Sequence, residues 1–425
     1  MKPKKYEIKQ GVTLHTIKTN KFKTDLTAVF ITVPITRKNV TINCLIPAVL
    51  RRGSRNLNTQ QKINKTLEEM YGATFDCGIE KTGDNHIIKF YIESINNKFL
   101  PNNEKNISSA LYTLFEIIFN PLLENGVFKK EYVESEKKNI EQLIRSKIDN
   151  KEQYALDRTV EEMYKNMPYG LYKYGYIEDL PNINNKLAHE RYEEIIKLAK
   201  IDIYVSGDIE EENIKEIVLN NPNIKNLKDR QGEFIVNNEQ TEIKEQPKIS
   251  KITDTLDVNQ GKLILGLDIL ENSKNSRFAV GLYNVILGES ATSKLFQNVR
   301  EKASLAYSAR STYIRQKNNI FIKCGIEITN YDKALKIIEQ QLQDMKNGEF
   351  TEEDIINAKK YMLNGINSIE EIQDTEITYY FGQELSNSYV LPQEYKEKIN
   401  SITKQQIVDA AQKIYINTIY FLKNK

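Results

Sequence analysis

Apolar and polar residues alternate along Val12-Thr-Leu-His-Thr-Ile17 and again along Thr27-Ala-Val-Phe-Ile-Thr-Val33, with a turn rich in Lys, Thr and Asn between them. A period of two marks strands with one buried face, so the chain is expected to open in a sheet. The pattern then turns helical. Residues 43–52 form a short apolar run stopped by Gly53, and Thr59–Met70 reads as a second helix capped by Asn58 or Thr59. Alternation returns in Phe75–Lys81 and His86–Glu93, which flank Thr82-Gly-Asp-Asn85 as a hairpin. Amphipathic stretches at 104–119 and 129–148 predict helices separated by Asn120-Pro121. After another helix-rich segment, Ile201-Asp-Ile-Tyr-Val-Ser-Gly207 reads as a strand ending in a glycine turn.

Between about 220 and 250 large apolar residues become scarce, as an exposed linker requires, and Gly261–Leu267 starts a new strand. The expected division is residues 1–220, a linker at 221–250, and residues 251–425. The two halves resemble each other. Phe128-Lys-Lys-Glu131 leads to Lys137-Lys138 at the spacing by which Phe350-Thr-Glu-Glu353 leads to Lys359-Lys360. Thr66–Met70 before Tyr71-Gly-Ala-Thr-Phe75 has its counterpart in Asn298–Lys302 before Ala303-Ser-Leu-Ala-Tyr307, in each case helix end, turn and strand. Matching order and spacing predict a duplicated α+β unit, each copy an antiparallel sheet with helices mainly on one face.

Composition narrows the function more than the fold. Sixty Lys and Arg against 58 Asp and Glu give no field that would gather nucleic acid or an anionic membrane. No apolar run approaches the length of a membrane span, and the start of the chain lacks the pattern of a secretory signal, so a cytoplasmic protein is expected. Cys44, Cys77 and Cys324 are an odd number in apolar surroundings, which predicts buried reduced thiols. His15, His86 and His189 share no ligand spacing, and Gly288–Ser293 lacks the glycines and the Lys-Ser/Thr of a phosphate loop.

One run is specific. Leu287-Gly-Glu-Ser-Ala-Thr-Ser-Lys-Leu-Phe-Gln-Asn-Val-Arg300-Glu-Lys-Ala-Ser-Leu-Ala-Tyr307-Ser308 is similar to the C-terminal signature of the M16 (insulinase/pitrilysin) zinc peptidases. Pro168-Tyr-Gly170 with Gly175, Ser206-Gly-Asp208 and Gln260 agree with it, so the resemblance covers nearly the whole chain. It implies the LuxS/MPP-like metallohydrolase fold of two homologous halves. It also implies that Arg300 and Tyr307 contact substrate peptide, roles that suit a guanidinium and a phenol facing carbonyl oxygen.

Active members of that family carry His-x-x-Glu-His on a first-half helix, where two imidazoles one turn apart grip zinc and the Glu activates water. Aligned on Gly53-Ser54, those positions are Cys44, Pro47 and Ala48 here, and the third ligand falls near Leu143, with Glu136 upstream. No metal, no other cofactor and no catalytic residue is therefore expected. The resemblance points to a non-catalytic subunit that pairs with a zinc-bearing M16 subunit, or with a second copy of itself, and helps to hold a peptide or protein substrate. A purely structural subunit and a hydrolase with an unrecognised nucleophile are the alternatives.

Overall fold

The computed structural model describes residues 2–101, 104–230, 248–270 and 276–425. The chain begins with β1 (Lys4–Lys9), β2 (Val12–Lys18), β3 (Thr24–Pro34), α1 (Val40–Leu50), α2 (Gln60–Glu69), β4 (Thr74–Thr82), β5 (Asn85–Ile95) and α3 (Asn106–Phe119). A small hairpin of β6 (Leu123–Glu124) and β7 (Val127–Phe128) leads into α4 (Lys130–Arg145), α5 (Lys151–Met163), α6 (Asn185–Leu198), β8 (Lys200–Gly207), α7 (Glu211–Asn220) and α8 (Pro222–Lys225). Beyond residue 247 follow β9 (Ser250–Thr255), β10 (Gly261–Ile269), α9 (Ser276–Asn284), β11 (Ala306–Ile314), β12 (Asn319–Ile326) and α10 (Tyr331–Asn347). The last elements are α11 (Glu352–Ser368), α12 (Gln373–Leu385), α13 (Pro392–Ser401), α14 (Lys404–Gln412) and β13 (Ile414–Lys423).

Two compact units result. The first contains residues 1–145, 171–237 and 370–389, the second 146–170, 238–369 and 390–425. The first is built on a sheet of order β1-β2-β8-β3-β5-β4, the second on a sheet of order β11-β12-β10-β13-β9. Read in reverse, the second order reproduces the first strand for strand from β2 to β4. Even the pairing sense agrees: β2 with β8 and β9 with β13 are parallel, and every other pair in the two sheets is antiparallel. The expected antiparallel sheets thus each hold one parallel pair, because the last strand of each half returns through a helix (α6 or α14) rather than a hairpin. The repeated lysines have equivalent jobs. Lys137 Nζ donates to the carbonyl of Ile183 at 2.9 Å, and Lys359 Nζ to that of Ile402 at 2.7 Å. Each acceptor immediately precedes the cap of the return helix, Asn184 in one half and Thr403 in the other.

In both units most helices cover one sheet face. Leu14, Val29, Ile31, Phe90 and Ile203 pack against α1, α3 and α6, while Leu263, Leu265, Ile322 and Phe421 pack against α9, α10 and α14. Among the described residues of each unit, one helix packs on the opposite face, and it comes from the other half of the sequence. In the first unit, Ile377, Tyr380, Phe381 and Leu385 of α12 lie on Ile17, Ala28, Phe30 and Tyr204. In the second, Ala155, Val160 and Met163 of α5 lie on Ile264, Phe321, Tyr420 and Leu422.

The units therefore differ from contiguous halves at 1–220 and 251–425, since α5 and α12 are exchanged. The described part of the expected linker is also packed: Ile224, Leu227 and Arg230 are buried and Ser250–Thr255 is the strand β9, while residues 231–247 lie outside the described residues. β1 carries only a weak hydrophobic pattern in the sequence, since its side chains are all exposed or half-buried.

Candidate functional site

Helix α1 carries Cys44, Pro47 and Ala48, three of the residues expected at the zinc positions. It starts at Val40, three residues before the expected limit, and nearly all of it is buried. Cys44 is 4% exposed, and its thiol donates to the carbonyls of Val40 at 3.3 Å and Lys173 at 3.0 Å. Burial pushes that thiol well above its ordinary range, which opposes the thiolate a metal would need. Pro47 lies inside the helix, with no N–H and no titratable atom, and half-buried Ala48 offers no donor at all. Leu143 lies on α4 with 45% of its surface exposed.

The remaining carboxylate is engaged elsewhere. Glu136 on α4 is buried, lies 3.5 Å from the Arg52 guanidinium and accepts from Asn139 at 2.9 Å. Among the described residues, no three His, Cys, Asp or Glu side chains converge so as to hold a metal ion. Cys44, Pro47, Ala48 and Leu143 together do not offer the donor set that zinc needs.

All three histidines are packed. His15 Nε2 lies 2.8 Å from Asp202 and its ring stacks on Tyr204 at 4.3 Å. His86, 3.2 Å from the Asn43 amide, is pushed down to about 3, chiefly by burial and further by the nearby charge of Lys81. His189 meets Phe128 edge-on. The three cysteines are free, with Cys44 and Cys324 buried; Cys77 is half-buried, not fully as expected, because β4 is the sheet's edge strand.

The second unit arranges its residues differently. Val285–Glu289 and Phe296–Lys302 are π-type helical segments, wider than an α-helix. Gly288 lets the first of these approach β11: an added Cβ would lie 2.6 Å from the backbone nitrogen of Ser311. The second segment bears Arg300, whose guanidinium is exposed, lies over the Phe296 ring at 4.7 Å and is 3.6 Å from Glu301. Ser304 takes a left-handed backbone (φ 52°) to turn the chain into β11, which packs against that same segment.

Tyr307 is 61% exposed at the start of this strand. Ala306 pairs with Ile326 and Ser308 with Gly325, so Tyr307 is the extra residue of a β-bulge, a device that re-aims a side chain. Its hydroxyl donates to the Glu327 carboxylate, and that hydrogen bond raises the phenol above its ordinary range. Arg300 and Tyr307 thus stand on two contacting elements, both open to solvent. Among the described residues β11 is the edge strand of its sheet. The bulge and the Glu327 partner were not legible in the sequence.

A family profile described as "Peptidase M16 inactive domain" matches residues 182–362. The chain is 34% identical to the "Probable inactive metalloprotease YmfF" of Bacillus subtilis, over 97% of this chain and 96% of that one. The chain belongs to the M16 peptidase family. Solved structures agree with the M16 fold. A conserved protein from Enterococcus faecalis superposes with a TM-score of 0.90 at 24% identity, covering 100% of this chain and 99% of that one. A peptidase M16 inactive domain from Pseudomonas fluorescens superposes with a TM-score of 0.79 at 15% identity, again over 100% and 99%. This M16 member is of the inactive kind, without the zinc motif. No helix among its described residues is long and apolar enough to cross a membrane.

Proposed function

We propose that the chain is the non-catalytic subunit of a two-chain M16 peptidase, acting in the cytoplasm beside a zinc-bearing M16 subunit and helping to hold the substrate peptide. The observation that carries this reading is the contrast between the two motifs. The residues expected at the zinc positions are core or bare aliphatic surface, whereas Arg300 and Tyr307 are exposed on adjoining elements, Tyr307 on the strand that ends the sheet among the described residues. A scaffold needs no such donors. An extended peptide at β11 would find backbone partners along the strand, and the two side chains would supply hydrogen bonds to its carbonyls.

The partner's zinc and glutamate would supply the chemistry; this chain's part is orientation and charge stabilisation. Losing a donor aimed at developing negative charge costs roughly a hundredfold in rate. Arg300→Ala and Tyr307→Phe are therefore expected to lower peptide cleavage by the mixed complex on that order without weakening its assembly, and the chain alone should cleave nothing. If both variants assemble and cleave like the parent with every peptide tried, the structural-subunit reading replaces this one. Cleavage by the chain alone would point instead to the unrecognised nucleophile.

A further inference from the structure

Arg300 and Tyr307 are not equally ready to donate. The Arg300 guanidinium makes no hydrogen bond among the described residues; it lies over the Phe296 ring and 3.6 Å from Glu301. A phenol has one hydrogen, and that of Tyr307 is already given to Glu327. The acceptor is held in place by backbone. Glu327 follows directly on β12, whose last residue, Ile326, pairs with Gly261 on one side and Ala306 on the other. The carbonyl of Glu327 accepts from the amide of Asn330 at 2.9 Å, closing a short turn after the strand. Among the described residues no cation pairs with its carboxylate, so the Tyr307 hydroxyl is its side-chain partner. The bulge contributes the other half. Ala306 keeps its register with Ile326, so the extra residue, Tyr307, leaves β11 level with the end of β12, where Glu327 begins. The mismatch that turns the ring to solvent also brings its hydroxyl within reach of this carboxylate.

Resting on the peptide reading above, we propose that Glu327 is the positioning residue of Tyr307: it withholds the phenol's hydrogen, and a peptide carbonyl must take that hydrogen from it. Recognition is then an exchange of hydrogen bonds. The bond to Glu327 breaks, the bond to the carbonyl forms, and the carboxylate left behind is hydrated because it is exposed. A hydrogen bond to a charged group is stronger than one to a neutral carbonyl, so the exchange lowers affinity. Arg300 has nothing to surrender and meets its carbonyl without that cost. Glu327 thereby sets a threshold: a peptide that seats a carbonyl firmly against Tyr307 gains both donors, and a loosely seated one is held by Arg300 alone.

The test is a double-variant cycle. Binding of an unstructured, fluorophore-labelled ten-residue peptide to the full chain is read by anisotropy, and KM and kcat for the same sequence are measured in the complex with a zinc-bearing M16 subunit. Glu327→Ala should tighten binding and lower KM roughly three- to tenfold, the worth of a charged hydrogen bond discounted for exposure, with kcat little changed. Glu327→Gln, whose amide oxygen still accepts but carries no charge, should gain less. In a Tyr307→Phe background neither substitution should tighten binding, because no hydrogen remains to be withheld. Weaker or unchanged binding in Glu327→Ala would overturn the proposal, since the carboxylate would then support Tyr307 or ignore it. The same gain in the Tyr307→Phe background would overturn it too, because the effect would then be one of charge alone. In each of these cases weaker binding by Arg300→Ala leaves the peptide reading standing. If Arg300→Ala and Tyr307→Phe both bind and cleave like the parent, the peptide reading falls and this inference falls with it.

Discussion

The two sheets share strand order and pairing sense, yet their second faces have been finished in opposite ways. Under α12 the face is aromatic and closed: Phe381 stacks on Phe30 at 4.2 Å and meets Tyr204 edge-on. Its polar groups find partners inside the same unit, as in His15 with Asp202, and Lys200 at 3.4 Å from both Asp202 and Glu384. Under α5 the packing residues are smaller, several of them half-buried, and the polar end of the face opens on a cavity lined by Asp149, Lys151, Glu152, Asp257 and Lys262. One topology serves as sealed support in one unit and as accessible polar surface in the other. Function is therefore not readable from strand order; it follows from which side chains the repeated scaffold leaves open.

The contrast breaks most visibly at the aromatic face. Phe381→Ala should cost about 3–5 kcal/mol through lost burial and the cavity left behind. Val160→Ala, on the face of α5 turned to its sheet, removes two half-buried methyl groups and should cost about 1 kcal/mol. Urea unfolding of the two variants checks the order, and equal costs would mean that the second face is as tightly closed as the first.

Asp25 gives a sharper test of the sealed unit. Both its oxygens accept from Asn96, at 2.7 and 2.9 Å, but burial, chiefly, and the nearby Asp208 push its carboxyl up to about 6 from the ordinary 3.8. A raised folded-state value favours the protonated form. The stabilisation is therefore full below about pH 4 and is lost as pH rises through 6. Asp25→Asn should remove that slope and raise stability at pH 7 by about 1–3 kcal/mol. An unchanged slope between pH 4 and 7 would place the titrating group elsewhere.

Close approach in the second unit predicts a smaller penalty. Gly288→Ala drives a methyl group towards the β11 backbone and should cost about 1–3 kcal/mol by overpacking, seen as a lower melting temperature. The smallest effects belong to the residues expected at the zinc positions. Leu143→Ala should change stability by less than about 0.5 kcal/mol, as an exposed side chain does. Metal analysis after dialysis should find no stoichiometric zinc, and one zinc per chain that vanishes in Cys44→Ser would refute the assignment of these positions.

Much of this was legible in residues taken locally. The hairpin Thr74–Ile95 follows from alternation around Gly83-Asp84, and Thr59 proves to be the cap of α2, its side chain accepting from Lys62. The repeat of Lys137 and Lys359 correctly announced the duplication. What escaped was non-local. The apolar stripe of an amphipathic helix says that it packs, not on which sheet, so neither α5 nor α12 disclosed its exchange. Arg310 and Lys323 lie apart in sequence and meet only through strand register, with Glu152 reaching them from α5. Arg300 and Tyr307 were found by resemblance, whereas the bulge that turns Tyr307 outward depends on a one-residue mismatch that no alternation pattern records.

The exchanged helices also set a timetable for synthesis. When β8 leaves the ribosome, the strands β1–β5 and β8 of the first sheet are all present, but the helix that covers Phe30 and Tyr204 ends roughly 180 residues later. At about 5–20 residues per second that is on the order of ten to forty seconds. Throughout that interval a nascent chain that has formed this sheet would lack the helix covering its aromatic face.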